Sequence, residues 1–240
     1  MTTVLGRRLL AEFTGTGLLV AIVVGSGIAA TRLTDDGALR LLVNSLVTAL
    51  GLAVLILIFT PAGGAQFNPV VTIADWLLAR RTSHRYGARQ AAAVMACQVA
   101  GAIGGAALAD AMFAAPVFSP SRRYRGGGPV LLSEVVATAG LLLLIVTLAR
   151  TERAQHACWS VGAWIGAAYW FTASTSFANP AVTIGRTLTS TYAGIAPASA
   201  PAFIAVQLLG GAVGTVLAVT IHPATTASPA PAEEPVTLAG

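Results

Sequence analysis

The chain has 240 residues, of which 55% are hydrophobic and only 10% charged, and its mean hydropathy is +0.77. Soluble domains carry about 25% charged residues, so the composition excludes a water-soluble fold of this size. The net charge of +5 rests on 14 basic residues, every one an arginine, set in small groups between apolar runs. That is the habit of membrane loops and not of a nucleic-acid surface.

A spanning helix needs roughly 20 mostly apolar residues. In chain order the stretches 9–31, 41–60, 90–114, 129–149, 157–173 and 202–221 meet that need and predict six spans. The first is too long for a cleaved signal peptide and lacks a processing site, so it is expected to remain as a span. Two further apolar segments, 67–79 and 178–190, hold about a dozen residues each; at ~1.5 Å per residue such a helix crosses only half of a ~30 Å core. Residues 223–240, rich in Pro, Ala, Thr and Glu, predict a disordered tail after a channel-like unit over 1–222. Cys97 and Cys158 lie in or beside apolar segments and read as packing thiols, with no disulfide framework and no metal-ligand spacing.

The two short segments are copies of one another. The first reads NPVVTIA from Asn68 and the second NPAVTIG from Asn179. Glu12 in AEFTGTGLLV corresponds to Glu134 in SEVVATAGLLL, and Gln98 and Gly101 correspond to Gln207 and Gly210. Order is kept, so the chain is a duplication with halves at about 8–115 and 129–222. Three spans separate the copies, and an odd number inverts the second half. The half-helices therefore enter from opposite faces and meet near the bilayer centre. Arg7, Arg8, Arg80, Arg81, Arg85, Arg89, Arg150 and Arg153 fall on the amino-terminal side, against Arg32, Arg40, Arg122, Arg123, Arg125 and Arg186 on the other. The bias predicts cytoplasmic termini.

Asparagine is a favoured N-cap and proline a favoured first helical residue, so each Asn-Pro is a helix start. The Asn side-chain oxygen can accept from the first turn, which leaves the NH2 of Asn68 and Asn179 free to donate into a lumen. The half-helix ends add partial positive charge, about +0.5 each, at the same point. Cations meet a barrier there, and neutral solutes with lone pairs meet donors. This predicts passive, single-file movement of small uncharged molecules. The chain carries no P-loop or other nucleotide motif to couple energy, no cofactor site and no catalytic constellation.

Glu12 and Glu134 stand inside apolar spans, where a carboxylate is costly. A re-entrant loop has backbone N–H groups that no helix or sheet satisfies, so these residues are expected to brace the loops; a proton relay is the other possibility. Gln98 and Gln207 read as further braces, and Gly101/Gly105 and Gly210/Gly214 as small-xxx-small helix contacts.

AEFTGTG, GGAQFNPVVT, ACQVAGA, the mid-chain Ser-Glu and the second Asn-Pro-Ala resemble the major intrinsic protein (aquaporin/aquaglyceroporin) family from about residue 9 to 221. The resemblance implies an all-α membrane protein of six spanning helices and two re-entrant half-helices, usually a homotetramer with one pore per protomer in the cell membrane. It implies pore-lining carbonyls at Gly64, Ala65 and Gln66, and at Thr175, Ser176 and Phe177. Spacing from the Asn-Pro motifs carries the family's outer constriction onto Thr48, Ala167, Ser176 and Val182. The family normally has Arg after the second Asn-Pro-Ala and often an aromatic residue at the first filter position; here these are Val182 and Thr48. The constriction is expected to be wide and uncharged. Val70 replaces the usual first-motif Ala and is expected to add bulk at the lumen centre, even to plug it in a non-conducting relative. The loop TASTSFA lacks the glycines common before the second motif. Arg-less filters resemble those of members in bacterial arsenic-resistance clusters. The expected solutes are therefore water, polyols such as glycerol, and metalloid acids such as arsenite and methylated arsenicals. A strict water/glycerol facilitator and a secondary active transporter are the alternatives.

Overall fold

The structure is a computed structural model and describes residues 2–82 and 87–223; side chains of 2, 3 and 80–82 are outside the description, as are Arg85 and the tail from 224 onward. Eight α-helices run in the order α1 (Thr2–Leu33), α2 (Gly37–Phe59), α3 (Pro69–Thr82), α4 (Ala88–Met112), α5 (Gly128–Arg150), α6 (Ala157–Phe171), α7 (Pro180–Arg186) and α8 (Ala200–Ile221). No strand occurs among the described residues.

Five of these helices are long and apolar enough to cross a membrane. The fifth of the six expected spans is shorter than its apolar run. α6 starts at Ala157 as expected but has 15 residues, because Thr172 turns extended, φ −112° and ψ 141°, to enter the second re-entrant loop. The half-helices also differ: α3 has 14 residues but α7 only 7. After Arg186 the threonines of TLTST compete with the helix, and Thr187 Oγ1 donates back to the Ile184 carbonyl at 2.7 Å.

The inverted pairing is visible in the packing. α1 lies along α4, α5 lies along α8, and α2 meets α6 between them. Small residues permit these approaches. A Cβ added at Gly105 would sit 2.0 Å from the Gly17 carbonyl oxygen, and one at Gly214 would sit 2.0 Å from that of Ala139. Both obstacles are helix backbone and cannot rotate away. Gly105→Val and Gly214→Val are therefore expected to cost about 3 kcal/mol or more. The expected outcome is a lower melting temperature or loss of the monodisperse detergent-solubilised peak; wild-type melting in both variants would show that the helices separate at little cost.

Candidate functional site

The two helix starts touch. Asn68 Oδ1 accepts from Val70 N at 3.0 Å, and Asn179 Oδ1 accepts from Ala181 N and Val182 N at 2.9 and 3.2 Å. Each carboxamide then reaches across: Asn68 Nδ2 donates to the Ala178 carbonyl at 2.8 Å, and Asn179 Nδ2 to the Phe67 carbonyl at 2.7 Å. The expectation of a wholly free NH2 is thereby corrected. A carboxamide has two N–H donors; one ties the half-helices together, and the other has no acceptor among the described residues.

Both asparagines line a cavity of about 930 Å³ that holds residues of both halves. Its walls are apolar stripes at helical spacing: Thr48, Leu52 and Ile56 on α2, Leu141 and Ile145 on α5, and Cys158, Val161, Ile165 and Tyr169 on α6. Of the sequence-derived filter, Thr48, Ser176 and Val182 line the cavity. Ala167 does not. It is exposed on the outside of α6, two residues before Tyr169 and hence on nearly the opposite face of the helix. Tyr169 takes the inward position, its hydroxyl 3.3 Å from Thr48 Oγ1. The i, i+3, i+4 stripe through Cys158 would have found it; motif spacing did not.

Val70 also faces away from the lumen. It is buried against α8, where a Cβ on Gly211 would meet its Cγ1 at 2.2 Å, and Val71 lines the cavity instead. The expected bulk at the lumen centre is therefore absent from that residue, which fills the notch left by a glycine.

Gly64, Ala65 and Gln66 line the cavity on one side, and Ser176 and Phe177 on the other, while Thr175 is not in its wall. The loops turn mostly without glycine, Gly63 at φ 103° being the exception. Ala65 and Phe67 have φ of 56° and 51°, and Thr175, Ser176 and Ala178 have 63°, 49° and 47°. Such left-handed residues cost on the order of 1–3 kcal/mol each and persist only where the surroundings over-determine them.

The glutamates supply that determination. Glu12 accepts from Gln66 N and Phe67 N at 2.9 and 2.8 Å, and Glu134 from Phe177 N and Ala178 N, both at 2.9 Å. Gln98 and Gln207 donate to these carboxylates at 2.9 and 2.7 Å and also to Thr72 and Thr183 at 2.9 and 3.0 Å. The threonine shared by NPVVT and NPAVT is thus a part of the brace that the sequence reading left unassigned. All six side chains are fully buried, and neither glutamate is in the cavity wall.

Charge is distributed unevenly between the two mouths. On the α3 side Arg8 lines the cavity, pairs with Asp75 at 3.9 Å and donates to Gln66 Oε1 at 3.2 Å. On the α7 side Arg186, counted from the sequence only among the arginines of that membrane side, lines the cavity with its guanidinium 3.4 Å from the Phe177 ring centroid. The expectation of an uncharged constriction is corrected accordingly. Arg125 stacks on the same ring at 5.1 Å and donates to the carbonyls of Gly194, Ser174 and Tyr192; Arg123 donates to Tyr192 as well, at 2.7 Å. Burial, then repulsion from Arg186 and Arg123, pushes the Arg125 guanidinium down to about 9, which keeps it cationic at neutral pH.

Residues 2–175 match the major intrinsic protein family. Aquaglyceroporin AqpS of Rhizobium meliloti (strain 1021) is 49% identical over 206 residues, covering 86% of this chain and 86% of that protein. The glycerol uptake facilitator protein of Escherichia coli (strain K12) is 35% identical over 112 residues, 47% of this chain and 37% of its own length. Among solved structures, the aquaglyceroporin from Plasmodium falciparum superposes with a TM-score of 0.68 at 19% identity, over 90% of this chain and 95% of that one, a likeness of fold.

Proposed function

This chain belongs to the major intrinsic protein family, a multi-pass membrane channel and not an enzyme, and on that premise we propose that it conducts small polar solutes broadly: water, polyols such as glycerol, and metalloid acids such as arsenite and their methylated forms. The carrying observation is the short, uncharged Val182 at the position after Asn-Pro-Ala, set with Thr48 in the wall of a cavity of about 930 Å³. A valine leaves room there for a solute wider than one water. The free N–H of Asn68 and of Asn179 supplies donors at the crossing point, and apolar stripes on α2, α5 and α6 carry carbon-bearing solutes. Coupled transport needs a titratable group at the solute, and Glu12 and Glu134 are instead committed to the loops. The proposal includes a homotetramer in the cell membrane with cytoplasmic termini. α2 turns Leu46, Leu50 and Val54 outward, a face suited to lipid or a neighbouring protomer.

Val182→Arg tests this reading. The new guanidinium fills the gap and lies one turn from Arg186, so the opening narrows and its positive charge doubles. Glycerol and arsenite flux are expected to fall about tenfold relative to water, a barrier increase of ~1.4 kcal/mol. The check is permeability to water, glycerol, arsenite and methylarsenate in proteoliposomes of equal protein content. An unchanged order of these four removes Val182 from the filter.

A further inference from the structure

We propose that Arg186 and Ser176 form a subsite for small carboxylates in their singly negative form, on the α7 side of the filter; the proposal rests on the channel reading above. Val182 and Arg186 are four residues apart and share a face of α7. Side chains on a helix lean toward its N-terminus, and the N-terminus of α7 is Asn179, at the centre of the lumen. Arg186 therefore leans along the half-helix toward that end, and both it and Val182 line the cavity. The cation that the family places directly after Asn-Pro-Ala is set one turn back along the half-helix.

Three observations give this cation a ligand-binding character. The first is its unspent donors. Arg186 is 2% exposed, its Nε donates to the Ala193 carbonyl, and its terminal nitrogens donate to no group among the described residues. The second is Ser176, a 3% exposed residue of the cavity wall whose Oγ is itself buried and has no hydrogen-bond partner. A buried polar atom left unpaired costs about 1–3 kcal/mol, a cost that a bound oxygen would offset. The third is the charge balance. Ion pairs among the described residues are Arg8–Asp75 and Arg40–Asp35, so Arg123, Arg125 and Arg186 are all without one. Glu134, behind Phe177, is occupied by two loop N–H groups and Gln207, and Asp110 accepts from Thr189 at 2.7 Å. A guanidinium in a partly dehydrated wall favours a carboxylate through charge-assisted hydrogen bonds. The Phe177 ring behind it fixes its plane, and Val182 gives an alkyl group an apolar neighbour.

The test is inhibition of glycerol flux at pH 7, where a carboxylic acid is ionised, by acetate or by its uncharged isostere acetamide, each equalised across the vesicle wall. Acetate is expected to inhibit the wild-type channel and acetamide to inhibit it far less. In Arg186→Gln the half-inhibitory acetate concentration is expected to rise about tenfold, the loss of one charge-assisted hydrogen bond, with the acetamide value unmoved. Each variant is read against its own uninhibited glycerol flux. Equal inhibition by the two solutes, or an acetate response that Arg186→Gln does not shift, overturns the subsite. Should Arg186→Gln not fold, Ser176→Ala makes the same comparison, with an expected rise of about threefold; no rise counts against the proposal equally. Absence of glycerol flux in the wild-type protein would instead overturn the channel reading itself.

Discussion

Asn179→Asp is expected to reduce neutral-solute flux at least tenfold while the protein stays folded and inserted. The aspartate retains an oxygen to accept from Ala181 N and Val182 N, so the helix start survives. What it loses is the amide that donates to the Phe67 carbonyl at 2.7 Å, and it sets a second oxygen against that carbonyl in its place. It also brings a negative charge to the cavity wall and removes the second N–H of the amide. One lost hydrogen bond with a buried acceptor left unpaired is worth about 1–3 kcal/mol, and a factor of ten is ~1.4 kcal/mol. Asn68→Asp meets the Ala178 carbonyl in the same way and should behave alike. Stopped-flow glycerol uptake at matched incorporation is the measurement. Wild-type flux in both variants would mean that the asparagines hold the half-helices together and do nothing for the solute.

Glu134→Ala is expected to be the most destabilising single substitution in the protein. It removes the acceptor for Phe177 N, Ala178 N and Gln207 Nε2 at once, at a site with no access to water. Orphaned buried donors at 1–3 kcal/mol each sum to about 4 kcal/mol, a large share of a typical net stability of 5–15 kcal/mol. Glu12→Ala removes the matching contacts to Gln66 N, Phe67 N and Gln98. Glu→Gln at either position keeps one oxygen acceptor but turns an NH2 toward a loop N–H, so its expected loss is about half as large. Thermal unfolding of the detergent-solubilised protein gives the ranking: wild type above Gln above Ala. A Glu134→Gln protein with unchanged melting but abolished, proton-dependent transport would restore the carrier alternative.

The sequence carried the topology for reasons that are local. Bilayer thickness sets a length for each helix, so a run of a dozen apolar residues announces a half-span, and two such runs both starting Asn-Pro announce their own N-termini. The duplicated Glu and Gln are legible because a carboxylate inside an apolar run needs a partner, and a re-entrant loop is the nearby element with unmet donors. The geometry adds Thr72 and Thr183 to that brace. They had been passed over because a threonine on a helix ordinarily bonds its own backbone, as both also do here.

Which side chain faces the lumen was a different matter. Counting from the motifs placed Ala167 in the filter, but facing depends on the phase of α6. That phase is fixed by the stripe Cys158, Val161, Ile165, Tyr169, which is buried toward the other helices. Val70 was expected in the lumen, yet Gly211 on α8, more than a hundred residues on, offers it a notch. Arg186 was placed only by its side of the membrane, because the apolar pattern around it gave no sign that the ring of Phe177 would receive the guanidinium. Length, hydropathy and capping act within a few residues along the chain and can be read there. The choice of lumen-facing atoms is made by contacts between distant segments, and only the packed bundle decides it.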